Sequence, residues 1–116
     1  MGSVYHGSFD KIRAKIKRMR LHRLTTQSII EIAEMLKEML QGWFAYFKNW
    51  GVYNGIHFFF RLNKRIMNWC ANRYKRFKRN KGRIKGYLRK IQSNIPNLFV
   101  HWKYGFRFGK ANVGSL

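Results

Sequence analysis

Acidic side chains are nearly missing from this chain. Its 116 residues hold four Asp and Glu against 25 Lys and Arg, a formal net charge of +21. General acid–base chemistry and two-metal catalysis draw on clustered carboxylates, so the chain is not expected to be an enzyme on its own. Asp10 is isolated, and Glu31, Glu34 and Glu38 fall in one helical segment. Cysteine occurs once, at Cys70, which excludes an intrachain disulfide and a Cys-rich zinc site. Beside Trp69 on an apolar face, Cys70 reads as a small buried hydrophobe. His6, His22, His57 and His101 are scattered, so neither a metal site nor a cofactor is expected. No Gly-rich phosphate loop of Walker type occurs. No apolar run approaches the roughly 18 residues that a bilayer span needs. No apolar leader follows the basic stretch from Lys11 to Arg23. The expectation is a cytoplasmic, nucleic-acid-associated protein without integral membrane association.

What is present is apolar mass and positive charge. Hydrophobic residues make up 46% and aromatics 17%, enough to offset the ordering entropy that keeps basic tails unfolded. The length allows one small domain. Residues 1–8 read as a flexible lead-in, 9–105 as the domain and 106–116 as a flexible tail. A charge this lopsided implies an anionic partner, most often nucleic acid.

Apolar periodicity predicts an all-α bundle of about four helices, near 9–24, 29–49, 56–79 and 83–94, followed by a short irregular segment. Phe9, Ile12, Ile16 and Met19 form the stripe of the first helix, with Ser8 as its cap. Ser28 and Glu31 have the spacing of a capping box. Gly42 interrupts the second helix and suggests close packing of a neighbour or a kink. Asn80-Lys81-Gly82 reads as the stop of the third helix, with Gly82 in the C′ role. Pro96 ends the fourth. Trp43, Phe47, Leu62, Ile66, Trp69 and Leu88 are expected to share one core.

Two cation clusters stand out. The first is Lys11, Arg13, Lys15, Lys17, Arg18, Arg20 and Arg23; the second begins at Arg73 and runs to Lys90. Like charges at i, i+3 and i+4 repel, and no acid follows Glu38 to relieve them. A solvated face would interleave signs, so the clusters point to anion binding. Arg73, Lys75, Arg76, Arg79 and Arg83 are the first candidates for phosphate contact, with Lys85 beside them. Arg13, Lys17 and Arg20 follow. Aromatics interleave with the second cluster at Trp69, Tyr74, Phe77 and Tyr87, and helical spacing assigns most of them to the core. Trp102 and Tyr104 lie outside that periodicity and are the better candidates for an exposed stacking platform, although core packing remains the preferred reading of both.

Four motifs stand in order along the chain: Lys11-Ile12-Arg13-Ala14-Lys15-Ile16-Lys17-Arg18, Gly42-Trp43-Phe44-Ala45-Tyr46-Phe47, Trp69-Cys70-Ala71-Asn72-Arg73-Tyr74-Lys75-Arg76 and Pro96-Asn97-Leu98-Phe99-Val100-His101-Trp102. Together they resemble the maturase-specific domain, also called the X or thumb domain, of group II intron-encoded proteins, from about Ile12 to Gly105. The chain departs from that pattern in three places. Leu36-Lys37-Glu38 lacks the proline common before the Gly-Trp, Gln41 replaces an Arg, and Ala45 replaces an Asn. The resemblance implies a thumb-like helical domain that binds structured intron RNA and assists its folding and splicing. In full-length relatives the domain follows a reverse-transcriptase domain and supports RNA–DNA template–primer binding. This chain has no room for a polymerase palm. The alternative implied is a non-catalytic accessory subunit that works with a separately encoded reverse-transcriptase chain.

Overall fold

The structure is a computed structural model. It describes the backbone of residues 2–47, 53–103, 105 and 108, and the side chains of 11–42, 58–103, 105 and 108. The order is α1 (Gly2–Met19), a 3₁₀ turn (Leu21–Arg23), α2 (Ile29–Phe47), α3 (Tyr53–Arg73), a second 3₁₀ turn (Lys75–Phe77), α4 (Lys81–Asn94) and α5 (Val100–Lys103). No strand occurs among the described residues. The expected all-α bundle is therefore what the chain forms.

Helix α1 starts at Gly2 rather than Phe9, so Ser8 lies inside the helix and not at its cap. Residues 2–8 contain no proline, and a nucleated helix gains one backbone hydrogen bond for each residue it adds. At the other end α1 stops at Met19, short of Leu24. Arg20 takes the left-handed conformation (φ 49°) and the chain turns into the first 3₁₀ segment. Continuing the helix would carry Leu21 about 140° around from Ile16. The turn instead buries both, each at 2% exposure.

Helix α2 opens on the expected capping box. The Ser28 N–H donates to Glu31 Oε1 at 2.9 Å, and the Glu31 N–H donates to Ser28 Oγ at 3.1 Å. Two otherwise unpaired backbone donors are satisfied by one pair of residues. Ile29, Ile32, Ala33, Leu36 and Leu40 are buried, while Glu31, Glu34 and Glu38 face outward. A Cβ at Gly42 would meet nothing within 4 Å among the described residues.

Helix α3 is the central element. It packs on the first 3₁₀ turn, on the second, and on α4. Leu62, Ile66, Trp69 and Cys70 are fully or almost fully buried along it, and Leu88 of α4 joins the same core. Trp43 and Phe47, also expected there, lie outside the described side chains.

The third helix was expected to run to Arg79 but ends at Arg73. Extending it would stack Arg73, Lys75, Arg76, Lys78 and Arg79 at like-charge spacings. The break at Tyr74 also lets Phe77 fold back, with ring centroids 5.8 Å from Tyr74 and 5.3 Å from Tyr87. The left-handed positions are Lys78 (φ 50°) and Arg79 (φ 60°), not Gly82. Asn80 is the N-cap of α4 and accepts the Arg83 N–H at 3.1 Å. The Asn80-Lys81-Gly82 sequence therefore starts a helix rather than stopping one. An Asx side chain serves either kind of punctuation. Pro96 follows the end of α4 as expected.

The segment after Pro96 is not simply irregular, because it contains the single helical turn α5. That turn packs toward α2 and buries His101 and Trp102. Phe108, assigned to the tail by sequence, is buried at 7% exposure. Gln92 holds it: the Phe108 N–H donates to Gln92 Oε1 at 3.0 Å, and Gln92 Nε2 donates to the Phe108 carbonyl.

Candidate nucleic-acid interface

The last turns of α3 grip the connector between α1 and α2. Trp69 Nε1–H donates to the Leu24 carbonyl at 2.6 Å, Asn72 Nδ2–H to His22 at 2.8 Å, and Arg73 Nε–H to Gln27 at 3.1 Å. The His22 and Gln27 carbonyls, which have no place in a helix ladder, find donors here, and the Leu24 carbonyl gains a second donor beside the Gln27 N–H. The consequence is electrostatic. The end of the first cation cluster is drawn against the start of the second.

An open cleft of about 660 Å³ lies at that junction, lined among others by His22, Arg23, Asn72, Lys75, Lys78 and Arg79. Arg79 Nη2 donates to Asn72 Oδ1 at 2.7 Å, so one asparagine ties the connector and orients a guanidinium. Two left-handed residues, Lys78 and Arg79, set the floor of this bend. L-residues pay steric cost in that conformation, yet cations occupy both positions.

A second cleft of about 240 Å³ lies between α1 and α3. Arg13 and Lys17 meet Arg61 and Arg65 there, over Ile16 and Leu62. A third, of about 470 Å³, opens on α4 and is lined by Arg76, Phe77, Arg83, Gly86, Tyr87 and Lys90. The Arg76 guanidinium lies over the rings of Tyr74 (5.0 Å), Phe77 (4.9 Å) and Tyr87 (5.6 Å). Such cation–π contacts hold an exposed guanidinium in place. Tyr87 OH donates to Tyr74 OH at 3.3 Å. Burial first, and then this hydrogen bond, push the Tyr87 phenol well above its ordinary range.

The candidate cations thus fall into three groups. Lys75 and Arg79 share the junction cleft, Arg13 and Lys17 the α1–α3 cleft, and Arg76 and Arg83 the α4 cleft. Arg73 is half-buried, bonded to Gln27 and stacked on Tyr74 at 5.2 Å; it positions the connector. Arg20 and Lys85 are exposed and line none of the three clefts. Trp102 does not offer a stacking platform. It is fully buried, and its Nε1–H donates to Asn63 Oδ1 at 3.2 Å. The α5 turn, invisible to periodicity because it is one turn long, carries it inward. Tyr104 lies outside the described residues.

Sequence reading passed over Arg61, Arg65, His22 and Asn72. The two arginines did leave a signal, an unrelieved like-charge pair at i, i+4 flanking buried Leu62. Asn72 left none, since nothing local distinguishes it from a solvated asparagine.

Nothing in the described core offers a nucleophile. Burial pushes the Cys70 thiol up to about 12, so it stays protonated. Burial lowers His101 to about 3, and its Nε2–H donates to Asn63 Oδ1 at 2.7 Å. Among the described residues no three His, Cys, Asp or Glu side chains gather as metal ligands. None of the described helices is long and apolar enough to cross a membrane.

Fold and clefts together define a small, strongly basic helical domain whose two cation clusters meet at the α1–α2 connector and whose other candidate cations line two further clefts. A model of the group II intron, maturase-specific domain matches residues 9–94, and the chain belongs to that family. The match runs from within α1 to the end of α4 and takes in both cation clusters, while the Pro96–Trp102 motif lies beyond it. Membership ties the protein to group II intron splicing. A search of curated proteins found no match, and neither did a search of solved structures.

Proposed function

We propose that this domain binds structured group II intron RNA and assists its folding and splicing without catalytic residues of its own. The observation that carries the reading is the junction cleft, where Trp69, Asn72 and Arg73 hold the two cation clusters side by side. A folded RNA brings phosphates of distant strands close together, and that repulsion limits its compaction. Cations carried on a folded scaffold offset it without the backbone ordering cost that a flexible tail would add at the moment of binding. Lys75, Lys78 and Arg79 supply charge at the junction, and Arg13, Lys17, Arg61 and Arg65 extend it along α1 and α3. Phosphate contacts of this kind position the RNA without reading its bases.

The test is a titration of a group II intron RNA with the purified chain, alongside a duplex DNA of equal charge. The reading predicts tighter binding of the intron and faster splicing at limiting magnesium. Equal affinity for both nucleic acids, with no effect on splicing, contradicts it.

A further inference from the structure

We infer that the α4 cleft captures an unpaired nucleotide, with its base over Tyr87 and Arg76 and its phosphate toward Arg83 and Lys90. The inference deepens the RNA-binding reading and rests on it.

Three observations converge on one ligand chemistry. The floor of the cleft is aromatic: the rings of Phe77 and Tyr87 sit 5.3 Å apart, inclined at 50°. One edge is a guanidinium already held by those rings at 4.9 and 5.6 Å. The rim is cationic through Arg83 and Lys90. Aromatic faces and guanidinium planes both stack on nucleobases. A lipid chain would gain nothing from a stacked guanidinium, and an acidic side chain would gain nothing from the rings. A planar base joined through a sugar to a phosphate uses all three.

Gly86 supplies the independent observation. It stands inside α4, where glycine destabilises a helix relative to alanine. Its backbone is not left-handed, and a Cβ there would meet nothing within 4 Å among the described residues. Neither conformation nor packing calls for glycine at this position. Its place in the cleft wall does, because any side chain would rise into the space that a base would fill.

The experiment uses the full chain and three RNA hairpins: one fully paired, one with a single bulged adenosine, and one with an abasic bulge at the same place. The abasic hairpin keeps the kink and the phosphate and lacks only the base. The wild-type chain should bind the adenosine bulge about tenfold tighter than the abasic one. Gly86→Leu should erase that ratio, keep its affinity for the paired hairpin, and melt no lower than wild type. Tyr87→Leu, which keeps apolar bulk and removes the ring, should lose the same ratio. Equal wild-type affinity for the two bulges overturns the inference, as does a ratio that survives in Gly86→Leu. A uniform loss across all three hairpins also overturns it, since that is an effect on backbone binding. Failure of the wild-type chain to bind any hairpin would instead count against RNA binding itself.

Discussion

Asn72 is bonded twice, once through each atom of its amide: Nδ2–H to the His22 carbonyl at 2.8 Å, and Oδ1 from Arg79 Nη2 at 2.7 Å. The first bond belongs to the fold and the second to the cation cluster. Removing the side chain separates the two roles. Both bonds are exposed, so Asn72→Ala should cost only about 1 kcal/mol in chemical denaturation. Affinity for intron RNA should fall severalfold because Arg79 loses its orientation. Arg79 can still reach its phosphate, only without preorganisation, so the number of phosphates neutralised and the slope of log affinity against log salt should stay the same.

Trp69 is expected to behave as a core residue. It is fully buried and donates to Leu24. Trp69→Ala should destabilise by about 3–5 kcal/mol. Trp69→Phe retains a ring and leaves the Leu24 carbonyl its bond from the Gln27 N–H at 3.2 Å, so the lost indole bond should cost about 0.5–1.5 kcal/mol. Urea denaturation of both variants checks this, and a shift below about 1 kcal/mol for the alanine variant would place Trp69 at the surface.

Stability should depend on His101 in acid. Burial lowers its folded pKa from 6.5 to about 3, so between those values the unfolded chain binds the extra proton. Stability is then fully present above pH 6.5 and declines as pH falls toward 3. The denaturation midpoint of wild type should drop steadily from pH 7 to pH 4. In His101→Gln the drop should be markedly shallower, whatever the starting stability of that variant.

Lys78 tests whether the left-handed bend is kept for charge. Its φ of 50° favours glycine. Lys78→Gly should leave stability unchanged or raise it by up to about 1 kcal/mol. It should also weaken RNA binding, since one cation leaves the junction cleft. A thermal melt and a binding titration on the same preparation give both answers.

The parts of the molecule that follow local rules were legible in the sequence. Four long helices have regular apolar stripes, and the Ser28–Glu31 box is a two-residue signal that forms as written. Helix ends were less legible where tertiary contacts decide them. Arg20, Lys78 and Arg79 adopt left-handed conformations that their side chains do not favour, because Leu21 and Phe77 must reach the core. The cation clusters were legible from charge alone. Their meeting was not, since it depends on Trp69, Asn72 and Arg73 bonding to carbonyls 45, 50 and 46 residues away. Trp102 was less legible for the converse reason: a single helical turn has no periodicity to read, and its packing, favoured over stacking, shows only in its contacts with Asn63, Phe99 and Phe108.

The most direct measurement of the central claim is the salt dependence of intron RNA binding in Lys75→Gln/Lys78→Gln. Both lysines are exposed and line the junction cleft, so the fold should survive. If each meets a phosphate, the plot of log affinity against log salt should flatten by about 0.7–0.9 per lysine. Affinity at low salt should fall with it. A double variant that keeps both the wild-type affinity and the wild-type slope would contradict the account and leave the junction cleft as a solvated face.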